Sequence, residues 1–165
     1  MKKLIFVRHG RAEDPSFEFS DFERSLTGKG KSICKTMAQK LKDKESTPGL
    51  MITSPAFRAI ETAYIFGKEF RIDLEKVVIS SNLYYKMNYL FLQETLSTIN
   101  EEIDTVTLFG HNPSFSEIAN SLSKTGCDFI PKTGIVGISF NVNSWSEIRK
   151  NSGKIEYFIK PEKVL

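Results

Sequence analysis

The chain contains only two histidines, and each stands directly after a run of apolar, β-prone residues. His9 follows residues 4–7, and His111 follows residues 106–109. Open α/β sheets collect their reacting groups at the carboxyl ends of the strands. The two imidazoles can therefore meet in one cleft if their strands are neighbours in one sheet.

The tripeptide Arg8-His9-Gly10 has three residue types that suit chemistry at phosphorus. A neutral imidazole, with an ordinary pKa of about 6.5, can act as a nucleophile near neutral pH. An adjacent guanidinium offers positive charge and forked N–H donors to phosphoryl oxygens, and a glycine allows a close approach of the backbone. The alternative is a loop histidine held by ordinary hydrogen bonds, so the tripeptide alone does not establish a phosphate site.

A second cation follows the strand predicted over residues 50–53. Ser54 is a natural N-cap and Pro55 suits the first turn of a helix that is predicted to run to about Glu69. Arg58 would then point toward the cleft that contains His9, where the N-terminus of the helix already favours an anion. The alternative is a surface arginine on an amphipathic helix.

His111 lies in the segment Gly110-His111-Asn112-Pro113, which places a second imidazole at a strand end with a turn behind it. This imidazole could donate a hydrogen bond to phosphoryl oxygens and stabilise their charge in a transition state. A core histidine without a chemical role is the alternative. The two histidines are far apart in sequence and lack a carboxylate at helical spacing, so we expect no metal site.

Composition and charge limit the class of protein. Hydrophobic residues make up 40% of the 165 residues and charged residues 26%, values typical of one folded, soluble domain spanning residues 1–165. The net charge of +3 comes from scattered lysines, without a block of five like charges that would bind nucleic acid or a membrane. We therefore expect neither a nucleic-acid nor a membrane partner, and nothing in the sequence indicates an oligomeric state.

The cysteines and the apolar runs indicate a cytoplasmic protein. Cys34 and Cys127 lack the spacing of a zinc site or a disulfide framework, so both are expected to be reduced. The apolar run after Lys3 ends at Arg8, short of the ~7 to 15 residues of a signal-peptide core. No apolar run approaches the ~18 residues of a membrane span.

Strand-like and helix-like segments alternate along the chain. Strands are predicted over residues 4–7, 50–53, 77–79 and 106–109, and helices over residues 27–44, 55–69 and 92–103 and after His111, where Phe115, Ile118 and Leu122 form the inner side. Residues 135–142 and 155–159, with a turn at 151–153, indicate a hairpin-like antiparallel pair. The fold class predicted is α/β, a three-layer α/β/α sandwich with a mostly parallel sheet and an antiparallel C-terminal edge hairpin.

In this order, the motifs of the chain resemble those of the histidine phosphatase superfamily, which also contains the phosphoglycerate mutases. The matching residues are Arg8-His9-Gly10; Asp21, Arg24, Leu26, Thr27 and Gly30, which resemble a D-x-x-R-x-L-T-x-x-G stretch; Ser54-Pro55 with Arg58-Ala59 and Thr62-Ala63; and Gly110-His111-Asn112-Pro113. The short length, the Leu83-Tyr84 segment and the hairpin-like end most resemble the SixA-type phosphohistidine phosphatases.

The resemblance implies a phosphatase that needs no metal or other cofactor. His9 would be phosphorylated transiently while Arg8, Arg58 and His111 hold the phosphoryl group, and water would then hydrolyse the phosphohistidine. Phosphoryl transfer depends mostly on positioning and charge stabilisation, which these groups can supply. The expected substrate is phosphohistidine or another accessible phosphomonoester, on a protein or a small molecule.

The residues that would bind the substrate and protonate the leaving group are less well defined. Gly10 and Asn112 are candidates for substrate contacts because they adjoin the two histidines. Many members of the superfamily carry an acidic proton donor shortly after the third strand, but residues 80–85 contain no carboxylate. Glu13 and Asp14 are candidate substitutes near the substrate, and solvated loop charges are the alternative. A phosphoramidate needs a dedicated acid less, because its leaving nitrogen is basic.

Two other functions stay open. A phosphoglycerate mutase-like phosphotransferase fits the motifs, although the missing carboxylate and the lack of long insertions disfavour it. A non-catalytic phosphate-binding module is the second alternative. The short connection over residues 80–86 predicts a shallow, open pocket that a bulky or protein-borne phosphoryl group could reach.

Overall fold

The computed structural model describes residues 1–163. In this part of the chain the strands are β1 (Lys2–Arg8), β2 (Leu50–Thr53), β3 (Val78–Ile79), β4 (Thr105–Gly110), β5 (Ile135–Phe140) and β6 (Lys154–Ile159). The α-helices are α1 (Gly28–Lys42), α2 (Phe57–Glu69), α3 (Tyr89–Ser97) and α4 (Ser114–Leu122). Single turns of 3-10 helix at Asp21–Glu23 and Ser81–Leu83 lie in connections near the candidate site.

The strands form one sheet in the order β3-β2-β4-β1-β5-β6. Strands β3, β2, β4 and β1 are parallel to one another, whereas β5 is antiparallel to both β1 and β6. The prediction of a mostly parallel sheet with an antiparallel C-terminal edge pair is therefore confirmed. Because Arg8 lies opposite Gly110 in the β1–β4 pairing, the residues after these two strands leave the sheet side by side.

Helices cover both faces of the sheet, as expected for a three-layer α/β/α sandwich. One apolar core contains side chains of α1 and α2, among them Cys34, Met37, Leu41, Ala63 and Phe66. The other contains side chains of α3 and α4, among them Leu92, Leu96, Phe115, Ile118 and Leu122. Leu4 to Val7 in β1 are fully buried between the two cores, which explains why this strand has no alternating polar pattern.

Helix α2 begins later than predicted. Ala56, and not Ser54, is the N-cap residue, and Pro55 precedes the helix. The Ser54 N–H donates to the Phe109 carbonyl at 2.9 Å, so Ser54 still extends the β2–β4 pairing. Its hydroxyl accepts a hydrogen bond from the Ala56 N–H at 3.2 Å. The prediction of Ser54 as N-cap was wrong because sheet pairing continues through that residue.

Helix α3 is shorter than the predicted 92–103 segment. It begins after Asn88, whose side chain accepts a hydrogen bond from the Phe91 N–H at 2.9 Å, and it ends at Ser97. Ile99 lies beyond the helix but is still buried in the core with α3 and α4. The Asn100 side chain accepts a hydrogen bond from the Glu102 N–H at 2.9 Å. Such asparagine turns compete with helical hydrogen bonding, which explains the early end.

Candidate active site

The pairing of β1 with β4 brings the two histidines together at the carboxyl edge of the sheet. The His9 N–H donates to the Gly110 carbonyl at 3.0 Å, continuing the ladder by one residue. The ring centroids of His9 and His111 lie 5.0 Å apart, with an angle of 54° between the ring planes. The two motifs that the sequence singled out therefore share one cleft.

Hydrogen bonding selects the tautomer of His9. Its Nδ1 lies 2.7 Å from the Gly10 carbonyl oxygen. A carbonyl oxygen only accepts, so Nδ1 carries the proton and Nε2 keeps its lone pair. Arg58 Nε lies 3.4 Å from this Nε2. The nitrogen that can attack an electrophile therefore faces a cationic side chain.

Burial and neighbouring charge keep His9 neutral. Burial, then the neighbouring His111 and the charges of Arg58 and Arg8, lower the pKa of His9 well below its usual value, although the Gly10 carbonyl acts in the opposite direction. A protonated imidazole has no lone pair for attack, so the lowered pKa keeps Nε2 available as a nucleophile at neutral pH.

Arg58 lies at the start of α2 and is buried. Its Nη1 donates to the Asp21 carbonyl at 2.7 Å, and its Nη2 donates to Asp21 Oδ2 at 3.0 Å. Both terminal nitrogens of the Arg58 guanidinium thus donate to Asp21, and its Nε donates to His9 Nε2. Arg58 lies beside His9, as predicted. Helix α2 begins at Phe57, one residue before Arg58.

Asp21 connects three side chains around the cleft. Besides Arg58, its carboxylate accepts hydrogen bonds from Tyr84 Oη at 3.2 Å and from Arg24 Nη1 at 2.9 Å. Burial raises the pKa of Asp21, but the hydrogen bonds and charges of Arg58, Tyr84 and Arg24 outweigh it and lower the pKa overall. In the sequence Asp21 and Tyr84 stand out only as parts of longer motifs, because the contacts of Asp21 with Arg58 and with Tyr84 join residues far apart in the chain.

His111 lies between Ser54 and Tyr84. Its Nε2 lies 2.8 Å from Ser54 Oγ, and its ring meets the Tyr84 ring in an edge-to-face contact with centroids 5.7 Å apart. Burial, followed by the charge of Arg58 and in smaller measure that of Arg8, lowers the pKa of His111 to about 4, against the opposing effect of Asp21. His111 is therefore a neutral hydrogen-bonding group at pH 7.

Arg8 has a buried donor without a partner. Its Nη1 donates to the Ile130 carbonyl at 3.1 Å, and its guanidinium carbon lies 5.3 Å from the centroid of the Phe129 ring. Its Nε is buried and has no hydrogen-bond partner among residues 1–163. Leaving a buried donor unpaired costs about 1–3 kcal/mol. An anionic oxygen that reached this nitrogen would remove that cost.

Gly10 and Asn112 make contacts within the protein. The Gly10 N–H donates to Thr62 Oγ1 at 3.0 Å, and a Cβ at this position would lie 2.6 Å from Cys34 Sγ. Asn112 donates to the Ile130 carbonyl at 2.8 Å and accepts from the Ser116 backbone and hydroxyl. These contacts position the loops around the histidines, and the direct contact of Gly10 and Asn112 with the substrate stays a prediction.

Glu13 and Asp14 are exposed in the loop after His9. The Glu13 carbonyl accepts a hydrogen bond from Arg24 Nε at 2.8 Å, and its N–H donates to the Ser25 carbonyl. The backbone of Glu13 is therefore held beside the Asp21–Arg24 segment. Neither carboxylate makes a hydrogen bond or ion pair with the other residues of the described chain.

The described residues contain neither a metal-binding cluster nor a membrane-spanning helix. Within residues 1–163, no three His, Cys, Asp or Glu side chains cluster so that they could hold a metal ion. The helices in the described part of the chain are all too short or too polar to cross a membrane.

The chain is similar in sequence to known proteins. Residues 4–82 match the family model described as the histidine phosphatase superfamily, branch 1. An uncharacterized chloroplastic protein of Arabidopsis thaliana is 25% identical over 172 residues, which cover 98% of this chain and 78% of that protein.

Solved structures share the fold over nearly the whole chain. SixA of Agrobacterium tumefaciens has a TM-score of 0.77 at 20% identity, covering 97% of this chain and 98% of that one. The protein histidine phosphatase SixA complexed with tungstate has a TM-score of 0.79 at 20% identity, covering 96% and 97% of the two chains. These likenesses extend well beyond the residues of the family match and include the antiparallel C-terminal strands.

Proposed function

We propose that this protein is a member of the histidine phosphatase superfamily, whose branch 1 model matches residues 4–82, and that it is a phosphatase that forms a phosphohistidine intermediate on His9. The observation that carries the proposal is the hydrogen bond from His9 Nδ1 to the Gly10 carbonyl, 2.7 Å long. It leaves the Nε2 lone pair in a cleft shared with Arg58 and His111.

In the first step, His9 Nε2 attacks the phosphorus atom and the bond from phosphorus to the leaving group breaks. In this proposal Arg58 Nε and the unpartnered Nε of Arg8 donate to the phosphoryl oxygens, and His111 adds a neutral donor. Such preorganised donors stabilise the charge that develops on these oxygens.

In the second step, water attacks the phosphorus atom of phosphorylated His9. The P–N bond breaks, inorganic phosphate leaves with the oxygen of that water, and His9 returns to its neutral form. The cations Arg8 and Arg58 supply charge neutralisation, so the proposed reaction needs no metal ion. The tungstate complex of the SixA relative supports this proposal, because tungstate is an oxyanion like phosphate.

We propose phosphohistidine, or another accessible phosphomonoester, as the substrate. The exposed aromatic side chains Tyr85 (71% exposed) and Phe129 (65%) flank the cleft residues Tyr84 and Arg8. Exposed rings next to a charged cleft can contact a bulky carrier of the phosphoryl group. The two cysteines are free, which supports a reducing, cytoplasmic location.

The fate of a trapped phosphoenzyme tests the proposal. Protein is mixed with ³²P-labelled phosphohistidine, quenched in alkali at millisecond to second intervals, and the label on protein and in solution is measured. A phosphatase shows label on the protein that passes to water as inorganic phosphate. Transfer of the label to added phosphoglycerate would instead identify a mutase, and absence of labelling with tight oxyanion binding would identify a binding module.

A further inference from the structure

A cavity lies next to Arg8, the residue before His9. It has a volume of about 330 Å³ and is lined by Arg8 but by neither histidine. This volume is within the ~300–1,000 Å³ typical of ligand sites. Arg8, the residue directly before His9, therefore borders a neighbouring space that the proposed reaction at phosphorus does not use.

The cavity carries positive charge that the protein does not neutralise. Besides Arg8, its lining includes Arg11 and Lys132. Within residues 1–163 neither side chain makes an ion pair. Glu162, which also lines the cavity, lies 3.3 Å from Lys40 and is paired there. An anionic group in the cavity would meet cations that have no other partner.

Both unpaired cations extend from backbone that is held by hydrogen bonds or close packing, Arg11 against the start of α1 and Lys132 next to the Arg8–His9 backbone. The Arg11 carbonyl accepts a hydrogen bond from the Thr27 N–H at 3.0 Å, and a Cβ at Gly30 would collide with that carbonyl. Lys132 directly precedes Thr133, whose N–H lies 3.1 Å from the carbonyls of both Arg8 and His9. The backbone positions of the two cations are therefore set by the fold.

Apart from Thr133, the remaining walls of the cavity are apolar. They include Ile33, Phe129, Pro131 and Pro161. A compact anion such as a second phosphate would use the cations but leave these walls without contacts. A purely apolar ligand would leave the charges unmatched. An acidic polypeptide segment that also carries an apolar side chain matches both features by charge complementarity and burial.

We propose that this cavity binds an acidic segment of a phosphorylated protein substrate, close to the residue whose phosphoryl group lies at His9. The inference rests on the proposed phosphatase function and adds a specificity site to it. Arg8 connects the two sites, since its Nε has no partner within the described protein and its guanidinium lies beside Phe129 in the cavity wall.

Matched phosphohistidine peptides test this inference. One peptide has Asp, Glu and Leu beside the phosphohistidine, and the other has Asn, Gln and Leu at the same places. For the wild-type protein at low salt, kcat/KM for the acidic peptide should exceed that for the neutral peptide at least about fivefold, as expected for two exposed ion pairs, and mainly through KM. The preference should shrink at high salt, because added ions screen exposed charges.

Two double variants locate the effect. Arg11→Ala with Lys132→Ala should remove the preference for the acidic peptide. Lys31→Ala with Lys35→Ala removes the same charge from another face of the protein, lined by α1 and α2, and should keep the preference. Equal kcat/KM for both peptides in the wild type, or an unchanged preference in the Arg11 and Lys132 variant, would overturn the inference.

Two further measurements separate the possible failures. If p-nitrophenyl phosphate is hydrolysed but the wild type does not distinguish the peptides, the specificity site is wrong and the phosphatase function stands. If no phosphoryl compound is hydrolysed, the proposed function itself fails. A small bisphosphate whose KM depends on Arg11 and Lys132 as strongly as that of the acidic peptide would contradict the assignment to a polypeptide.

Discussion

Asp21 holds both terminal nitrogens of Arg58, so that only the Nε of this arginine faces the candidate nucleophile. The two contacts are 2.7 Å to the Asp21 carbonyl and 3.0 Å to its carboxylate, and Arg58 Nε lies 3.4 Å from His9 Nε2. A guanidinium that is free to rotate could present any of its five donors. Asp21 therefore selects which donor an incoming phosphoryl group meets.

Removing the Asp21 side chain should slow catalysis through Arg58. We expect Arg58→Ala to lower kcat/KM for p-nitrophenyl phosphate about a hundredfold or more, as for loss of one charge-stabilising contact of ~3 kcal/mol. Asp21→Ala should lower it about tenfold, and should add little in the Arg58→Ala background. Glu18→Gln, at an exposed position in the same loop region, is the control. Fully additive losses in the double variant would show that Asp21 acts independently of Arg58.

Much of this site could be predicted from the sequence, because its main residues follow apolar strands. The runs before His9 and His111 are buried on both faces and could be recognised without homologues. The two histidines can share a cleft only if β1 and β4 are neighbours in the sheet. The pairing of Arg8 with Gly110 shows that they are. Arg58 could be placed because the start of α2 follows β2, the next strand in the sheet.

Other features depended on contacts that no local pattern contains. The tautomer of His9 follows from the path of the backbone at Gly10. Asp21 and Tyr84 reach the cleft from irregular connections, where side-chain direction has no periodic signal. Ser54 resembled a helix cap by residue type, but its pairing with Phe109 kept it in the sheet.

Protonation of His111 should make the fold less stable in acid. The pKa of His111 is about 4 in the folded protein, lowered first by burial, and about 6.5 in an unfolded chain. The unfolded state therefore binds more protons between these values, so stability is full above pH 6.5 and falls as the pH drops toward 4. Between pH 7 and pH 5 this group alone should cost about 2 kcal/mol.

Urea denaturation at pH 7 and pH 5 measures this loss. His111→Gln removes the titrating group and should reduce the difference in unfolding free energy between the two pH values. Other groups with lowered pKa values, His9 and Asp21, stay in both proteins. An identical pH dependence in wild type and variant would contradict the lowered pKa of His111.

Gly10 should be required for packing against Cys34. A Cβ at Gly10 would lie 2.6 Å from Cys34 Sγ, closer than real Cβ contacts. We expect Gly10→Ala to destabilise the protein by about 1–3 kcal/mol, the usual cost of overpacking a core. Cys34→Ala should relieve much of this cost, and the coupling can be measured by thermal or urea unfolding of the four proteins in a double-mutant cycle.

The control for this cycle is Gly28→Ala at the start of α1. A Cβ at Gly28 would meet no atom within 4 Å, so this change should leave stability the same or raise it slightly. Equal losses from Gly10→Ala with and without Cys34 would show that the sulfur atom is not the obstacle.

The rate should depend steeply on the leaving group. Residues 80–85 contain no carboxylate, and the carboxylates of Glu13 and Asp14 are exposed in the loop after His9. We therefore expect kcat/KM to fall strongly as the pKa of the leaving group rises across a series of aryl and alkyl phosphates, with phosphohistidine among the fast substrates. The same slope should be found for Glu13→Gln and Asp14→Asn. A shallow slope in the wild type that becomes steep in one of these variants would identify that carboxylate as the general acid.

The identity of the phosphorylated nitrogen tests the proposed mechanism most directly. The hydrogen bond from His9 Nδ1 to the Gly10 carbonyl leaves Nε2, which accepts a hydrogen bond from Arg58 Nε, as the ring nitrogen of His9 that carries a lone pair. Protein labelled with ¹⁵N at histidine is phosphorylated, trapped at high pH and studied by ³¹P and ¹⁵N NMR, with mass spectrometry to locate the residue. We expect phosphate on Nε2 of His9 and none in His9→Ala. Phosphate on Nδ1 of His9, on His111, or on the His9→Ala variant would contradict it.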